Sequence, residues 1–309
     1  MTARETRNVL LTAVLSLVPW AVGGQKPLTR LFTLAAEERY QVTVGFRAET
    51  HSVTTESVAA ETYVTPVVHV AEATLRWRSV KRVLAIRPDG SVDTEETVIP
   101  VTARCEEAVQ AAANRDSKLQ ESLEAACSVF LKKEILRCVE DQKGLLRESA
   151  PNAPYDLGET SPELLALWLR RAVRPSVIFP ALPFEAGAKV ERPLHPAGEL
   201  LRNARGSEST EWLEAREETP SASLHVVQHL SWEGASQGPA AGSSTASIRQ
   251  EEFFADSLTT VSLLDGGVLR ANRSASRTTS HKMESVPGLA VPLDFSSRLT
   301  ISVVMERLP

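Results

Sequence analysis

Three cysteines and two histidines are the residues whose types and spacing could do chemistry in this chain. Cys105, Cys127 and Cys138 stand 22 and 11 residues apart. Thiolate zinc sites use paired short spacings, which are absent, so the cysteines point away from a metal. On one unbroken helix all three share a face, but Cys127 and Cys138 are then roughly 16 Å apart, too far for a disulfide. A reversal at Asn114-Arg115-Asp116-Ser117 instead sets Cys105 and Cys127 across an α-hairpin, each eleven residues from Asp116. In an oxidising compartment that geometry makes Cys105–Cys127 a candidate disulfide and leaves Cys138 as a buried thiol. The alternative is three core thiols on one helix face.

His225 and His229 have the i, i+4 spacing of a metal pair on a helix. The flanking pattern is β, and on a strand the two lie roughly 13 Å apart, so ligation is not expected. Glu37/Glu38, Glu95/Glu96, Glu217/Glu218 and Glu251/Glu252 could each nominate an acid and a base. Adjacent acids on a strand point to opposite faces, so solvated strand edges explain them better. Arg170, Arg171 and Arg174 end a predicted helix, where cations complement the dipole without any anionic ligand. Gly206-Ser207-Glu208-Ser209 reads as a polar loop before a strand, and Asn272-Arg273-Ser274 fits an N-glycosylation sequon. There is no His-Glu-x-x-His, nucleophile elbow, phosphate-binding loop or dinucleotide fingerprint. No catalytic, cofactor-binding or metal-ligating residue is therefore nominated, and no cofactor is called for. An envelope hydrolase would require His69, His195 or His225 to meet a nucleophile or metal in a cleft.

The elements that would carry these residues are mostly strands. Tyr40, Val42, Val44 and Phe46 alternate with Gln41, Thr43 and Arg47, as a half-buried strand requires. A second run places Ala71, Ala73, Leu75 and Trp77 on one face and continues to the turn Pro88-Asp89-Gly90, from which strand 91–99 returns. Between Arg104 and Glu148 apolar residues recur at three and four, predicting helix over 104–146. Ser161-Pro162-Glu163 announces a second helix over 161–173. Prolines at 175, 180, 183, 193 and 196 mark a connecting stretch rather than a core element. Strands resume around Ala222–Trp232, then flank Asp265-Gly266-Gly267, and Leu299, Ile301, Val303 and Met305 close the chain. The two Asp-Gly hairpins hint at related halves around a helical insertion.

Arg4 and Arg7 precede an apolar run from Val9 through Val22, the n- and h-regions of a secretory signal, with small residues suiting cleavage after Gly23. The alternative is an uncleaved anchor or a buried N-terminal helix. The formal charge of −5 gives no basic excess for a phosphate backbone, so nucleic acid is excluded as a partner.

Around Leu167-Trp168-Leu169-Arg170-Arg171-Ala172-Val173-Arg174-Pro175-Ser176 the chain resembles a family of exported β-rich bacterial proteins. In these, a long sheet, helices and a Pro-rich stretch lead to a second sheet; the resemblance implies fold and no activity. More distantly, the layout is similar to half-barrel lipoprotein carriers of the bacterial periplasm, which implies an acyl-binding cavity but no particular residue.

The expectation is an α+β protein: signal peptide 1–23, then one domain over 24–309 with a β-half at 30–100, a helical insertion at 104–175 and a β-half at 205–307. A large curved antiparallel sheet, half-barrel or sandwich, carries the helices against it. The expected protein is exported, not integral to the membrane after cleavage, and non-enzymatic, binding an apolar ligand such as a lipid or acyl chain, or else an envelope protein as an interaction scaffold. A cavity between sheet and helices would favour the ligand; a solid core with an exposed apolar patch would favour the scaffold.

Overall fold

A computed structural model describes residues 27–58, 61–110, 134–148, 163–182, 184–194, 204–216, 220–236, 247–283 and 293–309. Among these, eleven strands form one antiparallel sheet: β1 (Glu37–Val58), β2 (Glu61–Ile86), β3 (Val92–Gln110), β4 (Glu134–Glu140), β5 (Leu146–Glu148), β6 (Lys189–Leu194), β7 (Arg205–Arg216), β8 (Ser221–Ser236), β9 (Ser247–Ser262), β10 (Val268–Met283) and β11 (Leu293–Leu308). Among the described residues one helix, α1 (Glu163–Ala172), sits between β5 and β6 in the chain.

The order β5-β4-β3-β2-β1-β11-β10-β9-β8-β7-β6 pairs every consecutive strand except β5 with β6, and joins the first strand to the last. The sheet is thus an up-and-down meander with one seam, and the seam falls where α1 is inserted. Tyr40, Val42 and Val44 of β1, Leu75 and Trp77 of β2, and Ile301, Val303 and Met305 of β11 are all buried, as their alternation requires. Residues from β4 and β8 share a core with α1. Those strands are seven positions apart in the sheet, about 34 Å if it were flat. The sheet therefore curves, and Leu165, Trp168, Leu169, Ala172 and Val173 fill its hollow.

The helix over 104–146 is corrected. Residues 104–110 continue β3 against Val68–Thr74 of β2, while 134–140 and 146–148 are β4 and β5. Within β4, Leu136, Cys138 and Glu140 are buried and Ile135 is exposed, so a period-two pattern was present beneath the apparent helical spacing. Pairing with β3 decides between them. Residues 111–133, including the expected reversal at 114–117, lie outside the described residues, as does the signal segment. The helix expected at 161–173 is observed over Glu163–Ala172, and the expected large antiparallel sheet is present as one sheet rather than two packed in a sandwich. Gly206–Ser209 belongs to β7, paired with β6 and β8, rather than to a loop. Pro193 lies in β6, an exposed edge strand, where its missing N–H costs no ladder bond.

Candidate functional site

The end of the curved sheet where β1 begins is closed by two pieces of chain. Residues 27–36 lie across it as a strap: Arg30 N donates to Gln142 O at 2.8 Å in the β4–β5 turn, and Leu31 N donates to Asp265 O at 2.9 Å in the β9–β10 turn. At its far end Ala35 N donates to Val83 O on β2 at 3.1 Å. The segment after α1 spans the seam, with Phe179 N donating to Lys143 O and its ring stacked 6.3 Å from Trp212 of β7. Two turn glycines permit this closeness. A Cβ on Gly144 would overlap the Val177 carbonyl, and one on Gly266 would stand 2.9 Å from Thr29 O; both have positive φ.

Beneath the strap is a buried charged network. Lys81 pairs with Glu140, Arg174 with Glu96 at 2.8 Å, and Arg30 with Glu38, all of them nearly inaccessible. Ser79 donates to Glu96, and Tyr40 Oη donates to Glu38 at 3.0 Å. Burial alone would raise the Glu38 carboxyl, but the Arg30, Lys81 and Arg307 cations outweigh it and hold it below its ordinary value. Burial, with Glu38 beside it, pushes the Tyr40 phenol well above its usual range. Arg273 of β10 donates to the carbonyls of Arg171, Ala172, Arg174 and Ser176, capping the exposed end of α1. Burial lowers its pKa to about 10. These groups lock helix, strap and sheet together.

Above them, on the outside of the closed end, apolar side chains face water. Leu31, Leu34, Leu84, Ile86, Leu145, Ile178 and Leu264 are all exposed, Leu264 by 72%. The strap contacts join the segments that carry them into one surface.

The convex face mixes ion pairs with apolar side chains, for Ile99, Ile135, Phe254, Leu258 and Val304 are exposed there. Cross-strand registers align Glu37, Arg82, Glu95 and Arg137 across β1 to β4, with Arg82 bonded to Glu37 and Arg137 to Glu95. Arg47–Glu72 and Arg270–Glu306 extend the charged covering.

The residues singled out by type are dispersed. His225 bonds Asp256 at 2.9 Å and His229 bonds Glu252 at 2.7 Å, both on the convex face of β8. Among the described residues no three His, Cys, Asp or Glu could hold a metal ion. Cys105 lies on β3 opposite Ala73, so the helical premise of the Cys105–Cys127 bridge is removed on that side, and Cys127 lies outside the described residues. Cys138 is buried on β4. His69 stands on β2 opposite Val109 and Thr50, and His195 lies outside the described residues. Three of the four carboxylate doublets do straddle the sheet, with Glu37, Glu95 and Glu252 outward; but Glu38, Glu96 and Glu251 are buried in ion pairs rather than at solvated edges. Glu217/Glu218 lie outside the described residues. Arg174 is a buried partner of Glu96, while Arg171 is exposed. Sequence reasoning missed Lys81 and Arg273, whose only sign was a cation at an inward position of an alternating strand, and Arg30, which lies on the strap and carried no such sign.

No family model and no curated protein matches this chain. Among solved structures it is similar to OccK7 (OpdD) of Pseudomonas aeruginosa, at 10% identity over 89% of this chain and 100% of that one, TM-score 0.22. It is also similar to the InvG secretin domain β-barrel of the Salmonella SPI-1 injectisome, at 10% identity over 99% of this chain and 68% of that one, TM-score 0.14. Neither is a lipoprotein carrier, and at these scores neither carries an argument. Among the described residues no helix is long and apolar enough to cross a membrane.

Proposed function

We propose that this is an exported, non-enzymatic interaction protein of the bacterial envelope that works through the closed end of its curved sheet. The observation that carries the reading is the cluster of exposed Leu31, Leu34, Leu145, Ile178 and Leu264 on that end, over a hollow that α1 fills. An apolar surface gathered from several segments is costly to leave in water and marks an interaction site. The sheet edges are poor alternatives: β5 has three residues, and β6 carries Lys189, Glu191, Arg192 and Pro193, which discourage strand addition. A photo-crosslinking residue at Leu264 is expected to form adducts in the native envelope fraction, while one at Thr43 on the convex face does not. Equal or absent labelling at the two positions would remove the reading.

Binding of an apolar ligand keeps one support. β1 and β2 remain paired for twelve residues past Phe46, beyond the part of the hollow occupied by α1, and Trp232 and Leu299 are only partly buried at that level. Intact and denatured mass spectra of protein purified under mild conditions test it: a co-purifying lipid mass lost on denaturation supports a carrier, and its absence removes that reading.

A further inference from the structure

We infer that the occupant of the closed end is the surface of a lipid bilayer, an inference that rests on reading this end as an interaction face. Three observations favour lipid over a folded partner. The exposed apolar groups sit on turn tips and a strap rather than along a groove: Leu145 in the β4–β5 turn, Leu264 in the β9–β10 turn, Leu31 and Leu34 on the strap. Such tips can enter a bilayer interface side by side without needing a complementary shape.

Their backbones are also prepared for a medium that supplies no hydrogen bonds. Leu145 N donates to the Asp141 carboxylate at 2.9 Å, Leu264 N to Ser262 Oγ at 3.2 Å, and Leu31 N to Asp265 O at 2.9 Å. The peptide donors of the leading side chains are therefore satisfied within the protein, and burying them costs little. Lys143, exposed two residues from Leu145, can lay its stem on the apolar surface and place its ammonium among headgroups.

Finally, the chain outside the described residues rejoins the structure at this surface. The apolar run ending at Val22 is nine residues from Leu31, a span of at most about 32 Å. Where that run is held in a membrane, before or without cleavage after Gly23, it would bring this end of the molecule within that span of the bilayer. The protein then rests on the membrane by this end.

Hydrogen exchange of the full chain with and without vesicles of phosphatidylcholine and phosphatidylglycerol tests this, because it reports where contact is made. Vesicles are expected to slow exchange in 28–36, 141–145 and 263–267. The double variant Leu31→Glu/Leu264→Glu should lose that protection and partition roughly a hundredfold more weakly, while Val304→Glu on the convex face changes neither. Protection confined to 1–26 would overturn the inference, since the N-terminal run alone would then bind. Protection of the same turns that depends on protein concentration and not on vesicles would also overturn it, leaving a second copy as the partner and the interaction reading intact. Turns that remain unprotected in both experiments would overturn both.

Discussion

Arg273 on the inner face of β10 donates to the carbonyl oxygen of Ala172, the last residue of α1, at 2.7 Å. The same guanidinium reaches the carbonyls of Arg171, Arg174 and Ser176, so one side chain ties two open acceptors of the last helical turn to the segment that follows it. Among the described residues no carboxylate pairs with it, and the negative end of the helix dipole faces its charge. A lysine cannot span four carbonyls, so Arg273→Lys is expected to cost about 2 kcal/mol and Arg273→Leu about 3–4 kcal/mol. Urea unfolding checks the order, and equal stability of all three proteins would exclude the cap.

The closed end predicts an acid limit. Glu38 has its folded pKa depressed by Arg30, Lys81 and Arg307 against the opposing effect of burial. A depressed carboxyl contributes stability that is fully present above the unfolded value of about pH 4.3 and is lost as pH falls through the lower folded one. Thermal midpoints measured from pH 7 downward should therefore drop below about pH 4.3. Glu38→Gln should lower stability at neutral pH and flatten that acid limb; an unchanged slope would assign it to other carboxylates.

Gly144 and Gly187 separate two reasons for glycine. Both have positive φ, but a Cβ on Gly187 meets nothing, whereas one on Gly144 would overlap the backbone of Val177. Gly187→Ala is expected to cost about 1 kcal/mol from conformation alone. Gly144→Ala should cost at least about 3 kcal/mol and free the segment after α1 from the β4–β5 turn. Faster exchange at the Phe179 amide reads that release directly, and equal effects of the two substitutions would contradict the close approach.

What could be read from the sequence were the parts that local pattern decides. Tyr40 to Phe46, Leu75 to Trp77 and Leu299 to Met305 alternate cleanly, and each lines the hollow. The cap-and-proline signal at 161–162 acts within one turn, and although those two residues lie outside the described ones, α1 is observed from Glu163 onward. The stretch Glu134–Glu140 was ambiguous because Leu136, Cys138 and Glu140 fit period two while neighbouring apolar residues fit period 3.6; the pairing partner, about forty residues away, broke the tie. The ion pairs were not legible at all. Lys81 meets Glu140 across 59 residues and Arg174 meets Glu96 across 78, and nothing in either neighbourhood names the other. The apolar end escaped notice for the same reason, since its leucines are single residues in separate turns that only the strap brings together.

Lys81 and Glu140 make the most informative test of what the buried network is for. Their side chains are 5% and 1% exposed, and Glu140 links the short edge region at β4 to β2 beneath the strap. A buried pair costs desolvation that its attraction scarcely repays, yet removing one partner strands the other charge. Glu140→Gln or Lys81→Met alone should each destabilise by about 3–5 kcal/mol, whereas the double variant Lys81→Met/Glu140→Leu should recover most of the loss. If the pair serves mainly to fix where β4 and the β4–β5 turn dock, the recovered double variant will still show faster amide exchange at Arg30, which donates to Gln142 in that turn. Restored stability together with restored protection at Arg30 would instead mean that apolar packing positions the turn equally well, and that the charges contribute nothing to the arrangement of the closed end.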